Sequence, residues 1–179
     1  MKRFFRFLLF LLVLAMSMGI SQPVVSQTET VVRVSPALVY LEGGQTTTIE
    51  IWVDEVIDLF GFAVEIHFDP SKIIAASTTL GGFLEPGMTV IDKIDNINGI
   101  IKYEMSQLGQ ETPSKTGSGV LLTFEITLIE ETYETPLVID SILLTDRNGV
   151  EIPCDVEHGK VRTPGLSPEY AVFLPLVLH

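Results

Sequence analysis

Apolar and polar positions alternate along most of the chain, most strictly at residues 60–68. Phe60, Phe62, Val64, Ile66 and Phe68 are apolar, while Gly61, Ala63, Glu65 and His67 between them are small, charged or imidazole. A sustained period of two predicts a strand with one buried face. Asp69-Pro70 closes it, because proline has no N–H for a ladder and aspartate readily starts a turn. Earlier strands are predicted at 31–41, broken at Ser35-Pro36 where the chain would change sheets, and at 46–56. In the latter, Thr47, Ile49, Ile51 and Val53 share one face, and Trp52 on the opposite face implies that this side is partly covered too. A short strand-like segment at 70–75 precedes a loop at 81–87. Residues 89–95 and 100–108 alternate again across a hairpin turn at Asn98-Gly99. In the second of these, Ile101, Tyr103 and Met105 face in, and Lys102, Glu104 and Ser106 face out. The polar stretch 109–119 reads as a loop. A strong strand at 120–129 buries Leu122, Phe124, Ile126 and Leu128, with a mixed opposite face, and strands at 137–144, 150–156 and 159–162 complete the set.

No helical periodicity is sustained beyond the amino-terminal segment. Strands at turn spacings of about 10–12 residues predict an all-β fold, a nine-stranded β-sandwich with jelly-roll topology. Both ends depart from the alternation. Lys2, Arg3 and Arg6 precede an apolar run at 7–16, and Val24-Val25-Ser26 offers a small residue for cleavage, so residues 1–26 read as a signal peptide. The run is too short for a span of about 20 residues. At the other end, Pro164-Gly165-Leu166-Ser167-Pro168-Glu169 gives a linker at 163–169 and an apolar tail at 170–179. That tail fits either a last strand on the domain or a sorting and surface-retention signal. The domain itself is placed at 30–162, in a secreted, extracellular protein that could be retained at the cell surface.

Charge narrows the partners. Lys and Arg total 11 against 23 Asp and Glu, a net charge of -12. Removing 1–26 takes away three basic residues and no acids, leaving 8 against 23, or -15. An acidic chain without a basic patch excludes nucleic acid as a partner and suits a soluble secreted protein. The single cysteine, Cys154, makes no internal disulfide. It reads as a small buried hydrophobe, with pairing between chains as the alternative.

Catalytic chemistry finds no support. His67, His158 and His179 do not stand at metal-ligand spacing to one another or to the cysteine, and no nucleophile elbow, phosphate loop or zinc motif occurs. Accordingly no catalytic residue, metal site or cofactor is expected, and His67 reads as a surface or interface residue. Asp92, Asp95 and Asn96 lack the ordered spacing of a calcium loop and read as a solvated hairpin. Sugar-binding sandwiches usually present a row of exposed aromatics; here Trp52 and Tyr103 both alternate onto covered faces.

The ordered pattern carries a resemblance. It comprises Val32-x-Val34-Ser35-Pro36 with the Gly43-Gly44 turn, then Gly61-Phe62-x-Val64-x-Ile66-x-Phe68-Asp69-Pro70, then Asn98-Gly99-Ile100-Ile101. Gly117-Ser118-Gly119-Val120-Leu121 before Phe124-x-Ile126, Asp146-x-x-Gly149 and His158-Gly159-Lys160-Val161 follow. Over about 130 residues the chain resembles a bacterial cohesin domain. The resemblance implies a jelly roll that binds a dockerin, a small calcium-loaded helical module carried by polysaccharide-degrading enzymes, and so recruits those enzymes to a scaffold or cell surface. It also implies a recognition face on strands 60–68, 89–95, 100–108 and 137–144. The outward candidates there are Gly61, Ala63, Glu65, His67, Lys102, Glu104, Ser106, Asp140 and Ser141. Gly61 and Ala63 stand where the family often carries outward Asn and Asp. Carbohydrate-binding modules share the sandwich superfamily, so polysaccharide binding is the alternative, with a structural surface or adhesion sandwich as a third reading.

Overall fold

The computed structural model describes residues 29–109 and 111–168. The expected signal peptide at 1–26 and the apolar tail at 170–179 lie outside the described residues, as does the last position of the linker. Twelve strand segments follow in order: β1 (Val31–Ser35), β2 (Leu38–Tyr40), β3 (Thr46–Leu59), β4 (Gly61–Phe68), β5 (Ile73–Leu80) and β6 (Gly87–Asp95). The remainder are β7 (Ile100–Gln107), β8 (Lys115–Leu128), β9 (Thr135–Thr145), β10 (Glu151–Ile152), β11 (Asp155–Glu157) and β12 (Gly159–Arg162). Among the described residues no helix is long and apolar enough to cross a membrane.

Two sheets face each other as a jelly-roll sandwich. One runs β11-β1-β3-β8-β5; the other runs β2-β12-β9-β4-β7-β6, with β10 attached to β9. The expected nine strands become twelve segments because the runs at 31–41 and 150–156 are each divided and the short segment at 70–75 is a strand of its own. Ser35-Pro36 divides β1 from β2 and passes the chain from the first sheet to the second, as a residue without an N–H allows. The run at 150–156 is likewise divided into β10 and β11, while β12 matches the strand expected at 159–162.

Alternation builds the core between the sheets. Ile49, Ile51 and Val53 of β3 and Leu122, Phe124, Ile126 and Leu128 of β8 are fully buried from one side. Phe62, Val64, Ile66 and Phe68 of β4 and Ile101, Tyr103 and Met105 of β7 close on them from the other. Each such side chain contributes about 1.5–3 kcal/mol on leaving water. Cys154 packs half-buried at the rim of this core, and burial, then Asp155 and Glu151, push its thiol pKa up.

Five expectations need correction. The stretch 109–119 is not all loop: Lys115–Gly119 begin β8 and pair with the far end of β3, Gly117 opposite Val56 and Lys115 opposite Leu59. Their polar side chains hide the strand from a hydrophobic pattern, yet they are used, since Ser118 and Thr116 hydroxyls accept the backbone N–H groups of Glu55 and Asp58, both at 3.0 Å. Gly119 has no side chain because the Phe83 ring lies over it; a Cβ there would meet the ring at 2.5 Å. The short segment at 70–75 is instead a full strand, β5, and the loop at 81–87 holds a 3-10 turn at Gly82–Leu84 with Leu84 fully buried. Leu121, assigned to the mixed face of β8, is fully buried beside Leu122. Leu121 is the extra residue of a bulge in β8, opposite the Ile51–Trp52 step of β3, and both leucines are buried there. Phe60, assigned to the inner face, lies between β3 and β4 and is half-buried, with the Arg147 guanidinium 4.8 Å above its ring.

Candidate functional face of the second sheet

The strands that the resemblance marks for recognition lie side by side, in the order β9-β4-β7-β6. On their outer side Glu65 of β4 pairs across to Lys102 of β7, Ala63 to Glu104, and Gly61 to Ser106. Toward β9, Glu65 stands opposite Ser141 and Ala63 opposite Leu143. The register slips between Glu65 and Ile66, so Asp140 is the extra residue of a bulge. Consecutive residues of a regular strand point to opposite faces. Here the bulge leaves both Asp140 and Ser141 exposed, while Ile139 stays in the core.

Four candidates converge into one charged network across three strands. The Lys102 ammonium donates to Glu65 Oε2 at 2.6 Å, and His67 Nε2 donates to Glu65 Oε1 at 2.7 Å. Asp140 Oδ2 lies 3.9 Å from the same imidazole nitrogen. The hydrogen bond from His67, then that from Lys102, holds the Glu65 carboxyl below its ordinary range, against a smaller opposing effect of burial.

Beside the network a shallow depression of about 180 Å³ opens. Ala63 forms its floor, since a methyl is all that rises between the longer side chains of β7 and β9. Its walls are Lys102, Glu104 and Ile91 on one side and Ser141 and Leu143 on the other. Ile91 and Leu143 are 41% and 42% exposed and supply the apolar contact surface. Neither figured among the expected residues. In Ile142-Leu143-Leu144 the consecutive apolar residues signal that one must face outward, and the β9 bulge decides that it is Leu143.

Gly61 and Ser106 stand apart. Gly61 is buried, and a Cβ on it would come within 3.1 Å of Thr145 Oγ1 and 3.2 Å of the Met105 carbonyl oxygen. A larger residue there would have to push back Thr145 and the Met105 carbonyl by a few tenths of an ångström. The Ser106 hydroxyl is half-buried and donates to the Gln107 carbonyl at 3.1 Å.

The other polar candidates serve the scaffold. Asp95 accepts from Ile97 N–H and Asn98 N–H, each at 3.1 Å, and the hairpin amides, Asn98 above all, lower its pKa. Asn96 bonds both backbone groups of Ala75, at 2.8 and 3.0 Å, tying the hairpin to β5, and Asp92 accepts from Thr78. His158 Nδ1 accepts the Ile139 N–H at 3.3 Å, next to the β9 bulge; His179 lies outside the described residues. Tyr103 is buried, stacks on Phe62 at 6.0 Å and shares a hydrogen bond with Thr89. Trp52 is covered by the Arg33 guanidinium at 5.4 Å and donates to Asp54 at 2.9 Å. No flat row of exposed aromatics is therefore formed on either sheet among the described residues.

No family model and no curated protein matches the chain. Solved structures do match it. A non-cellulosomal cohesin from the hyperthermophilic archaeon Archaeoglobus fulgidus superimposes with a TM-score of 0.63 at 12% identity, over 80% of this chain and 96% of that one. The type I cohesin–dockerin complex Coh-OlpA-Doc918 from Clostridium thermocellum gives 0.65 at 14% identity, over 76% of this chain and 99% of the matched chain. The third cohesin of ScaC from Acetivibrio cellulolyticus, solved with the ScaB dockerin, gives 0.65 at 16%, over 75% and 98%. At such identities the likeness establishes the fold: the chain has a cohesin-like sandwich.

Proposed function

We propose that this chain is a secreted, non-catalytic docking module whose β9-β4-β7-β6 face receives a dockerin-type partner, calcium-loaded on the partner's side. The observation that carries the reading is the apolar depression over Ala63, bordered by a fixed row of alternating charge. Apolar contact supplies affinity, and a rim of paired charges supplies orientation and choice of partner. Structures of the same fold solved with dockerins support the reading. With Gly61 buried and Ala63 as floor, recognition here runs through Glu65, Lys102, Glu104 and Asp140 with Ile91 and Leu143, and the docking partner is the one that matches that set.

Titration of the purified protein with calcium-loaded type I and type II dockerins, read by calorimetry, tests this. Saturable binding that disappears when calcium is chelated from the partner is expected. Absence of binding to every dockerin offered, together with retardation on cellulose, xylan or chitin affinity gels, would replace this reading with the carbohydrate-binding one. Secretion is tested by mass spectrometry of the protein recovered from culture medium, where an amino terminus close to residue 27 is expected.

A further inference from the structure

Glu65 and His67 stand two residues apart on one strand, so their heads project from the same patch of sheet. Asp140 joins them from β9 because the bulge turns it outward. The donor atoms of the three lie within 4.8 Å of one another. His67 Nε2 is 2.7 Å from Glu65 Oε1 and 3.9 Å from Asp140 Oδ2. A tetrahedral ion with bonds of about 2.1 Å requires donors about 3.4 Å apart. The two His67 separations must therefore open and close by roughly 0.7 and 0.5 Å, and the Glu65–Asp140 separation, at most 4.8 Å, must close by up to about 1.4 Å, all through rotamer adjustment of side chains that reach solvent.

We propose that Glu65, His67 and Asp140 form a binding site for a divalent transition ion of the zinc class. The donor set selects the class. An imidazole with two carboxylates suits zinc and its neighbours, whereas calcium and magnesium take oxygen donors. Three protein donors leave a coordination position open toward solvent, where water or a donor from a docked partner completes the shell. The geometry of β4 also explains why sequence spacing hid the site, since one carboxylate comes from the same strand and the other from a neighbouring strand through a bulge.

Lys102 gives the site a signature that a plain ion-pair network lacks. Its ammonium takes Glu65 Oε2 at 2.6 Å and leaves Oε1 to the ion, and its positive charge opposes the cation. In the isolated protein water completes the shell, so the ion binds without a docked partner.

Zinc titration of the purified protein by calorimetry, with the His67 ring signals followed by NMR, tests the proposal. One zinc per chain is expected, with direct perturbation of the His67 ring. His67→Ala and Asp140→Asn should each weaken zinc binding at least about tenfold, and Lys102→Gln should strengthen it several-fold. Failure to bind zinc, zinc binding unchanged by His67→Ala, or weakened binding in Lys102→Gln would each overturn the site and leave the four residues as an ion-pair network.

Discussion

The two sheets present outer faces built on the same alternation and finished in different ways. On the first sheet the outward side chains of β1, β3 and β8 satisfy one another. Arg33 lies over Trp52 and bonds Asp54 at 2.7 Å, Trp52 bonds the same carboxylate, and Thr46 and Thr127 share a hydrogen bond at 2.7 Å. On the second sheet the charges are also paired, but they are gathered to one side of an apolar depression floored by Ala63, with Ile91 and Leu143 exposed at its walls. A two-sided sandwich needs only one open face to act as a docking module. The difference comes from placement: Ala63 stands on a strand flanked on both sides, between the longer side chains of β7 and β9, and leaves a hollow there.

Removing the support common to both faces has the largest effect. Phe124→Ala takes a fully buried ring from the strand next to the sandwich centre and should cost about 3–5 kcal/mol in denaturant unfolding. The contrast itself is broken by Ala63→Arg, which fills the hollow. Partner binding should fall at least about tenfold with the unfolding midpoint little changed, because a side chain at the centre of a contact patch blocks it outright. Its counterpart on the first sheet, Thr123→Arg, should leave binding as in the wild type. Equal losses in the two variants would mean that the faces are not distinguished as described. A smaller effect is expected from Arg33→Ala, which uncovers Trp52 and removes a half-exposed ion pair; about 0.5–1 kcal/mol of stability should be lost, with no change in partner binding.

The parts of this contrast that were legible in the sequence are those where the period of two runs unbroken. The inner face of β4 follows directly from Phe62, Val64, Ile66 and Phe68, and its outer face from Ala63, Glu65 and His67. What alternation cannot show is where it slips. The bulges at Leu121 and Asp140 each send two consecutive residues to one side, burying a leucine in the first case and exposing the Asp140–Ser141 pair in the second. The first five residues of β8 are polar or glycine, with Thr116 and Ser118 hydrogen-bonded to the backbone of β3, so no hydrophobic signal marks them. Ile91 and Leu143 come together as walls of one depression only when β6 and β9 are placed on either side of the β4–β7 pair, which is information of topology and not of local pattern.

Acid titration supplies the smallest and most specific test. Glu65 has its pKa lowered in the folded protein, first by the hydrogen bond from His67 and then by Lys102. A carboxyl with a depressed folded pKa binds its proton more readily when unfolded. Its contribution to stability is therefore present above the unfolded-state pKa, about 4.3 for Glu, and is lost as pH falls through the lower folded value. Glu134, held down chiefly by Arg162, and Asp146, held down chiefly by the Val150 amide, act in the same direction, so the protein as a whole should weaken below about pH 4. In Glu65→Gln the share belonging to the second sheet is absent at every pH. Denaturant midpoints of that variant and the wild type should differ at neutral pH and converge as the medium is acidified. Curves that stay parallel down to acid would show that the Lys102–Glu65–His67 network does not couple to folding and serves the docking face alone.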